Sequence, residues 1–332
     1  MRSFRKILLR LILIAAFLKV FDMGIRFAYQ APGTTAIYAI NDLKESKGQV
    51  ETLILGTSLV HWGIKGLQLG DALESTTYNL ATAAQPLNGS YYLLKDQVKH
   101  NDIKRLFLGV HVSSMTRDYN SNIKLREGIY DRMLSPLSKI EYLYQTADYN
   151  EYLQYLFFSA RLDNLTDWDQ VKSNVEYKLS DDFKENRSPA KRKYVYQGMG
   201  DENTKAVYKG TFAKKRLPRR SCWDRSLIID KNVEYLQKIA DFCEEEGIEL
   251  NLVIMPMVQE ITRLMGDMND MHVYYQEFCD KNNAKLFDFY QYENIYEILP
   301  NDCYQDEKHL NSKGAEKFTE VFANWYLSDR DK

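Results

Sequence analysis

Cysteine is scarce in this chain, with four among 332 residues. Cys222, Cys243, Cys279 and Cys303 form no CxxC pair, and no histidine stands at zinc-like spacing from them, which argues against a metal site. Cys243 and Cys279 fall in amphipathic helical patterns and read as buried thiols. An even count permits disulfides outside the cell, but the spacing does not say which. Histidine is nearly as rare: His61, His100, His111, His272 and His309 are the five, so chemistry centred on imidazole has few candidates. An excess of one charge is also missing. Forty-four basic residues stand against 46 acidic ones, a net charge of −2, which describes an ordinary soluble body long enough for a full core. The length fits one large domain or two small ones.

Against this plain background, the first 30 residues stand out. Arg2, Arg5, Lys6 and Arg10 precede or interrupt a run that is otherwise apolar from Ile7 to Phe21. A span needs about 20 residues, and Arg10 and Lys19 can snorkel from near its ends. No small-residue cleavage site follows. Residues 1–30 therefore read as an uncleaved single-pass signal anchor with its N-terminus inside, and residues 31–332 as a domain outside the cytoplasm. A helix lying on the membrane or packed on the domain is the competing reading. An external body has no nucleic-acid partner.

The stretch Glu51–Ile64 carries the chemistry. Thr52 to Leu55 is an apolar run of strand length, and Gly56-Thr57-Ser58 ends it abruptly. A serine just past a strand end is held above a parallel sheet, but serine needs a base. Asp306 and His309 lie three apart in a loop before the last helix, a spacing at which a carboxylate can orient an imidazole. Ser58 as nucleophile competes with Ser58 as a helix N-cap. His111, at a strand end, is the rival base, and Asp288 the rival orienter.

Further strands are expected at Thr77–Ala81, Arg105–Val110, Glu249–Ile254 and Lys285–Asp288. Helices are expected at Asn88–Lys99, Asp230–Glu246, Asp267–Asn282 and Ser312–Leu327, with Gly247 stopping the second and Ser312 capping the last. The alternation implies an α/β fold, with a parallel sheet covered on both faces and its site beyond the strand carboxyl ends. Ser58, Gln85, Ser113 and Pro256 all fall at such ends. Between about 116 and 225 the rhythm stops, which marks an insertion: Ser138–Arg161 is helical in pattern, and the rest is loop-like and basic. From Arg187 to Arg225, twelve basic residues meet only Asp201, Glu202 and Asp224. That run reads as a solvated face, with a contact for polyanionic chains or lipid headgroups as the functional alternative.

These pieces resemble the SGNH/GDSL hydrolase superfamily. The matching residues are Gly56-Thr57-Ser58, the loop from Asn79 to Pro86, and Asp306-Glu307-Lys308-His309 with Leu310, Asn311 and Gly314. With the anchor, the pattern is most similar to the membrane-anchored extracytoplasmic branch that includes teichoic-acid D-alanylation and alginate O-acetylation proteins. The resemblance implies a three-layer α/β/α flavodoxin-like fold and a catalytic set of Ser58, His309 and Asp306. It also implies oxyanion or substrate-binding roles for Gln85, Ala84 and Asn79, although Asn79 is better suited to bonding the loop backbone. There are departures. Thr57 stands where the family often has Asp, Ala83 or Ala84 where a glycine donor is common, and His111-Val112-Ser113-Ser114 occupies the place of a Gly-x-Asn block. The implied activity moves a small acyl group, acetyl or D-alanyl, to or from a cell-surface polysaccharide or teichoic acid through an acyl-enzyme, without cofactor or metal. A multipass membrane O-acyltransferase is the implied partner. The alternative is a catalytically inactive scaffold of the same fold that binds polymer or that acyltransferase.

Overall fold

A computed structural model of the chain describes residues 2–31, 35–118, 122–188, 194–210 and 217–330. Seven strands are present among them: β1 (Thr52–Leu55), β2 (Thr77–Asn79), β3 (Arg105–Val110), β4 (Val195–Gly198), β5 (Asp201–Asn203), β6 (Glu249–Ile254) and β7 (Lys285–Asp288). Five of them form one sheet in the order β2-β1-β3-β6-β7, with every neighbouring pair parallel. The order is compatible with a flavodoxin-like sheet.

The apolar runs explain the strands. All of β1 and nearly all of β3 and β6 are buried, as parallel strands covered on both faces must be. Phe107 of β3 and Phe287 of β7 meet Phe322 and Tyr326 of the final helix, Ser312–Arg330. That helix also packs beside Gly66–Leu73. The opposite side chains of the pleat face the helices Leu87–Val98 and Asp230–Glu246, which pack on each other through Tyr91, Tyr92 and Tyr235. Gly247 ends the second of these in the left-handed conformation, φ 68°.

Beyond β3 the chain departs from alternation, as expected. Short helices at Ile123–Arg132, Pro136–Thr146, Tyr152–Leu156 and Trp168–Lys178 lead to a feature the sequence did not announce, the antiparallel hairpin of β4 and β5. The hairpin is stitched to the main body. Met199 O accepts from Asn79 N at 3.0 Å, and both Asp201 carboxylate oxygens accept from the first amides of Gly66–Leu73. The basic run is only partly a free face. Arg187 pairs with Asp182 and Glu185, Arg219 with Asp224, and Arg225 with Asp270. Lys191, Arg192, Lys193, Lys214, Lys215 and Arg216 lie outside the described residues.

The expected membrane span needs correction. The first helix, Arg2–Tyr29, is 28 residues long, yet among the described residues no helix is long and apolar enough to cross a membrane. Arg10, Lys19 and Asp22 interrupt the run, and its C-terminal end belongs to the body. Asp22 is buried and accepts from Phe158 N, Ser159 N and Ser159 Oγ. Lys178 Nζ donates to the carbonyls of Phe27 and Gln30. From Phe4 to Phe21, by contrast, every side chain is exposed.

All four cysteines are free. Burial pushes the thiols of Cys243 and Cys279 up to about 12; Cys222 is half-buried.

Candidate functional site

At the carboxyl ends of β1 and β3, two backbones come close together. Gly56 has φ 140°, and a Cβ there would sit 2.9 Å from Gly109 O. A Cβ on Gly109 would in turn strike Val60. The turn after β1 is therefore tight, and the helix Ser58–Gly63 starts at once. Its N-cap is Thr57, whose hydroxyl accepts from Leu59 N. With the cap supplied by Thr57, the Ser58 hydroxyl is free for another partner.

That partner is His309. Ser58 Oγ lies 2.8 Å from His309 Nε2. His309 Nδ1 lies 2.8 and 2.9 Å from the two Asp306 oxygens. Because a carboxylate accepts, Nδ1 carries the proton and Nε2 is left to accept from the serine hydroxyl. Asp306 Oδ1 also accepts from the backbone amides of Lys308 and His309, each at 2.9 Å. Burial pushes the Asp306 carboxyl up, but the His309 ring bond and these amides outweigh it and hold the group at about 2. The ring edge of Trp62 packs on His309 at 4.9 Å between centroids. The rival orienter is occupied elsewhere, Asp288 pairing with His272 at 2.9 Å, and His61 lies 3.3 Å from Glu202.

A cavity of about 220 Å³ opens at this pair, lined by Ser58, His309, Ala84, His111, Ser113 and Lys308 among others. Ala84 adopts φ 48° at its wall. His111 takes a place the sequence left between two roles. Its Nδ1 accepts from Ser113 N at 3.4 Å, so the ring proton sits on Nε2. That Nε2 is buried and makes no hydrogen bond within the described residues. Burial, reinforced by Lys308, Arg117 and His309, drives the ring down to about 3, so it is neutral at ordinary pH. The strand-end position was the signal for His111; that its Nε2 carries an unpaired proton becomes visible only with the tautomer.

Two expected site residues are not brought to the cavity. Asn79 donates to the carbonyls of Val60, His61 and Ile64 and accepts from Ala81 N, so it anchors the Ser58 helix instead. Gln85 turns its amide to Ser90 Oγ at 2.9 Å, into the first turn of Leu87–Val98, and is buried there. Pro256 does not line the cavity either. Nothing in the chain's pattern singles out Glu202 for the role it has here: it comes in on the β4–β5 hairpin and accepts from Trp62 Nε1 at 3.1 Å.

No protein-family model matches the chain, and no curated protein matches it.

Proposed function

We propose that this protein is a serine acyltransferase or esterase that works through an acyl-enzyme on Ser58. The observation that carries the reading is the continuous Ser58–His309–Asp306 hydrogen-bond chain, with the N-cap role taken by Thr57. In this reading Ser58 Oγ attacks the acyl carbonyl carbon as its proton passes to His309 Nε2. The leaving oxygen departs with that proton, and the acyl group remains on Ser58. Water then releases it as an acid, or a sugar or polyol hydroxyl carries it away as a new ester; His309 takes the proton of the incoming hydroxyl and returns it to Ser58.

The carbonyl oxygen becomes negative midway and needs donors. His111 Nε2–H is the group we assign to it, together with the backbone N–H of Ser58 and of Ala84. This arrangement supplies the stabilisation that Gln85 and Asn79 do not. A cavity of about 220 Å³ suits a small acyl group such as acetyl or D-alanyl.

The resemblance to SGNH hydrolases of the cell envelope supports an extracytoplasmic site acting on a surface polysaccharide or teichoic acid, with a multipass membrane O-acyltransferase as acyl supplier. Attachment to the membrane through the first helix is supported by its exposed apolar stretch from Phe4 to Phe21, with Arg5 and Lys6 at its start. Protease added to intact cells should degrade the body; survival behind a sealed membrane would refute the topology.

A fluorophosphonate probe tests the chemistry. The wild-type protein should be labelled at Ser58, and the Ser58→Ala and His309→Ala proteins should not be. A folded wild-type protein that takes up no label would favour the inactive scaffold, a reading motivated by the commitment of Gln85 to Ser90.

A further inference from the structure

Beside the serine cavity lies a second and larger one of about 500 Å³. The two are close neighbours: Thr82 and Ala83 line the larger and Ala84 the smaller, while Trp62, in the wall of the larger, packs its edge on His309. Two stacked aromatic pairs contribute to this wall, Trp62 with Tyr194 and Tyr38 with Tyr196. Such flat apolar faces with polar rims fit the body of a sugar ring or polyol.

Arg132 is the anomaly in this cavity. It is 9% exposed, yet among the described residues it makes one hydrogen bond, from Nη1 to Gly128 O at 2.8 Å, and no carboxylate lies within ion-pair distance. A guanidinium has five N–H donors in a rigid fork. None of its remaining donors is sealed inside the protein, so an anion entering the cavity that Arg132 lines could bond them. Asp131 and Glu202 favour its charge from beyond ion-pair distance, and Glu202, in the same wall, accepts from Trp62 Nε1. Lys124 adds a second cation to the lining.

We propose that this cavity is an anion-recognising subsite, in which Arg132 seats the carboxylate or phosphate of a sugar- or polyol-type substrate while the ester-bearing oxygen lies at Ser58. Only the placement of the ester-bearing oxygen at Ser58 rests on the acyl-transfer reading. Carboxylate and phosphate share the paired oxygens that the arginine fork bonds, and they would come from a uronic-acid polymer and a polyol-phosphate polymer respectively.

The test is a binding titration of the full chain carrying Ser58→Ala, so that no turnover intervenes. Trp62 fluorescence or calorimetry would follow galacturonate, glycerol phosphate, galactose and glycerol. One charged ligand should bind at least about tenfold more tightly than its neutral counterpart, the effect of a charge-assisted fork; which one identifies the polymer class. In the same background Arg132→Gln should fall to the neutral level, and Arg132→Lys should recover part of the preference. Equal binding of charged and neutral ligands would overturn the proposal without any arginine variant, as would full anion preference in a folded Arg132→Gln protein. The two readings fail separately: loss of probe labelling with anion preference intact defeats the acyl chemistry alone, whereas intact labelling without preference defeats only the subsite.

Discussion

In the proposed chemistry His309 can take the Ser58 proton only while Asp306 holds its proton-bearing Nδ1. Replacing Asp306 with Asn removes the charge and lets the ring turn over or adopt the other tautomer. The expected loss in kcat is on the order of 10³–10⁴, with KM little changed, measured by steady-state ester hydrolysis. Because the Asp306 carboxyl sits at about 2, it stays ionised throughout the neutral and mildly acidic range. It contributes stability above the ordinary carboxylate value and loses that contribution as pH falls through about 2. His111 behaves oppositely in cause but also weakens the fold in acid. The unfolded chain binds a proton on this ring near pH 6.5, whereas the folded protein resists until about 3, so stability falls as acid is added through that window. His111→Phe should flatten that part of the stability–pH curve, measured by urea denaturation at several pH values. The same variant should lower kcat by about 10²–10³ if the ring is an oxyanion donor. A flattened curve with full activity would restrict His111 to packing.

Between residue and sheet, the short helix Ser58–Gly63 decides where the Ser58 hydroxyl points. Its far end is held by Asn79, so Asn79→Ala leaves three carbonyls without that donor. A loss of about 1–3 kcal/mol in thermal unfolding is expected, with slower fluorophosphonate labelling at Ser58 as the helix shifts. Gly56→Ala should be harsher, since its φ of 140° alone opposes a side chain and Gly109 leaves no space. Elements of this kind were legible where burial left a simple pattern. The run Glu249–Ile254 reads as a buried strand and is one, and Asp267 caps its helix as its position suggests. The last helix is subtler: Ser312 turns its hydroxyl to Thr204, and Asn311 accepts from Gly314 N in its place. The β4–β5 hairpin was illegible because its strands are four and three residues long, without apolar alternation, and are held by contacts to distant parts of the chain. Arg132 was hidden for the same reason, since what distinguishes it is a missing partner, which only three dimensions reveal.

The molecule as a whole is a sheet-based body from which one helix protrudes. The base of that helix is bonded through Asp22, Arg26 and the carbonyls that Lys178 holds, while from Phe4 to Phe21 every side chain is exposed, although Lys19 also reaches Leu156 O and the Phe157 ring. Changing Leu11 and Phe17, both well exposed, to Asp should therefore abolish co-sedimentation with anionic vesicles and leave the fold and Ser58 labelling intact. Retained vesicle binding would mean that another surface meets the lipid. The hydrogen-bonded arrangement of Ser58, His309 and Asp306 was legible from two short motifs 251 positions apart in the chain, because strand ends in a parallel sheet converge on one edge. The reach of the first helix was not legible, because charge spacing alone does not say which turns are bonded to the body.

The thiol inventory has a practical consequence. Three of the four cysteines are sealed inside, and Cys222, half-buried, directly follows Ser221 in the wall of the serine cavity. A maleimide dye added to the native protein would therefore settle at one position, next to the cavity that holds Ser58. The unaltered chain comes with its own attachment point for a reporter that would show whether Ser58 takes up an acyl group.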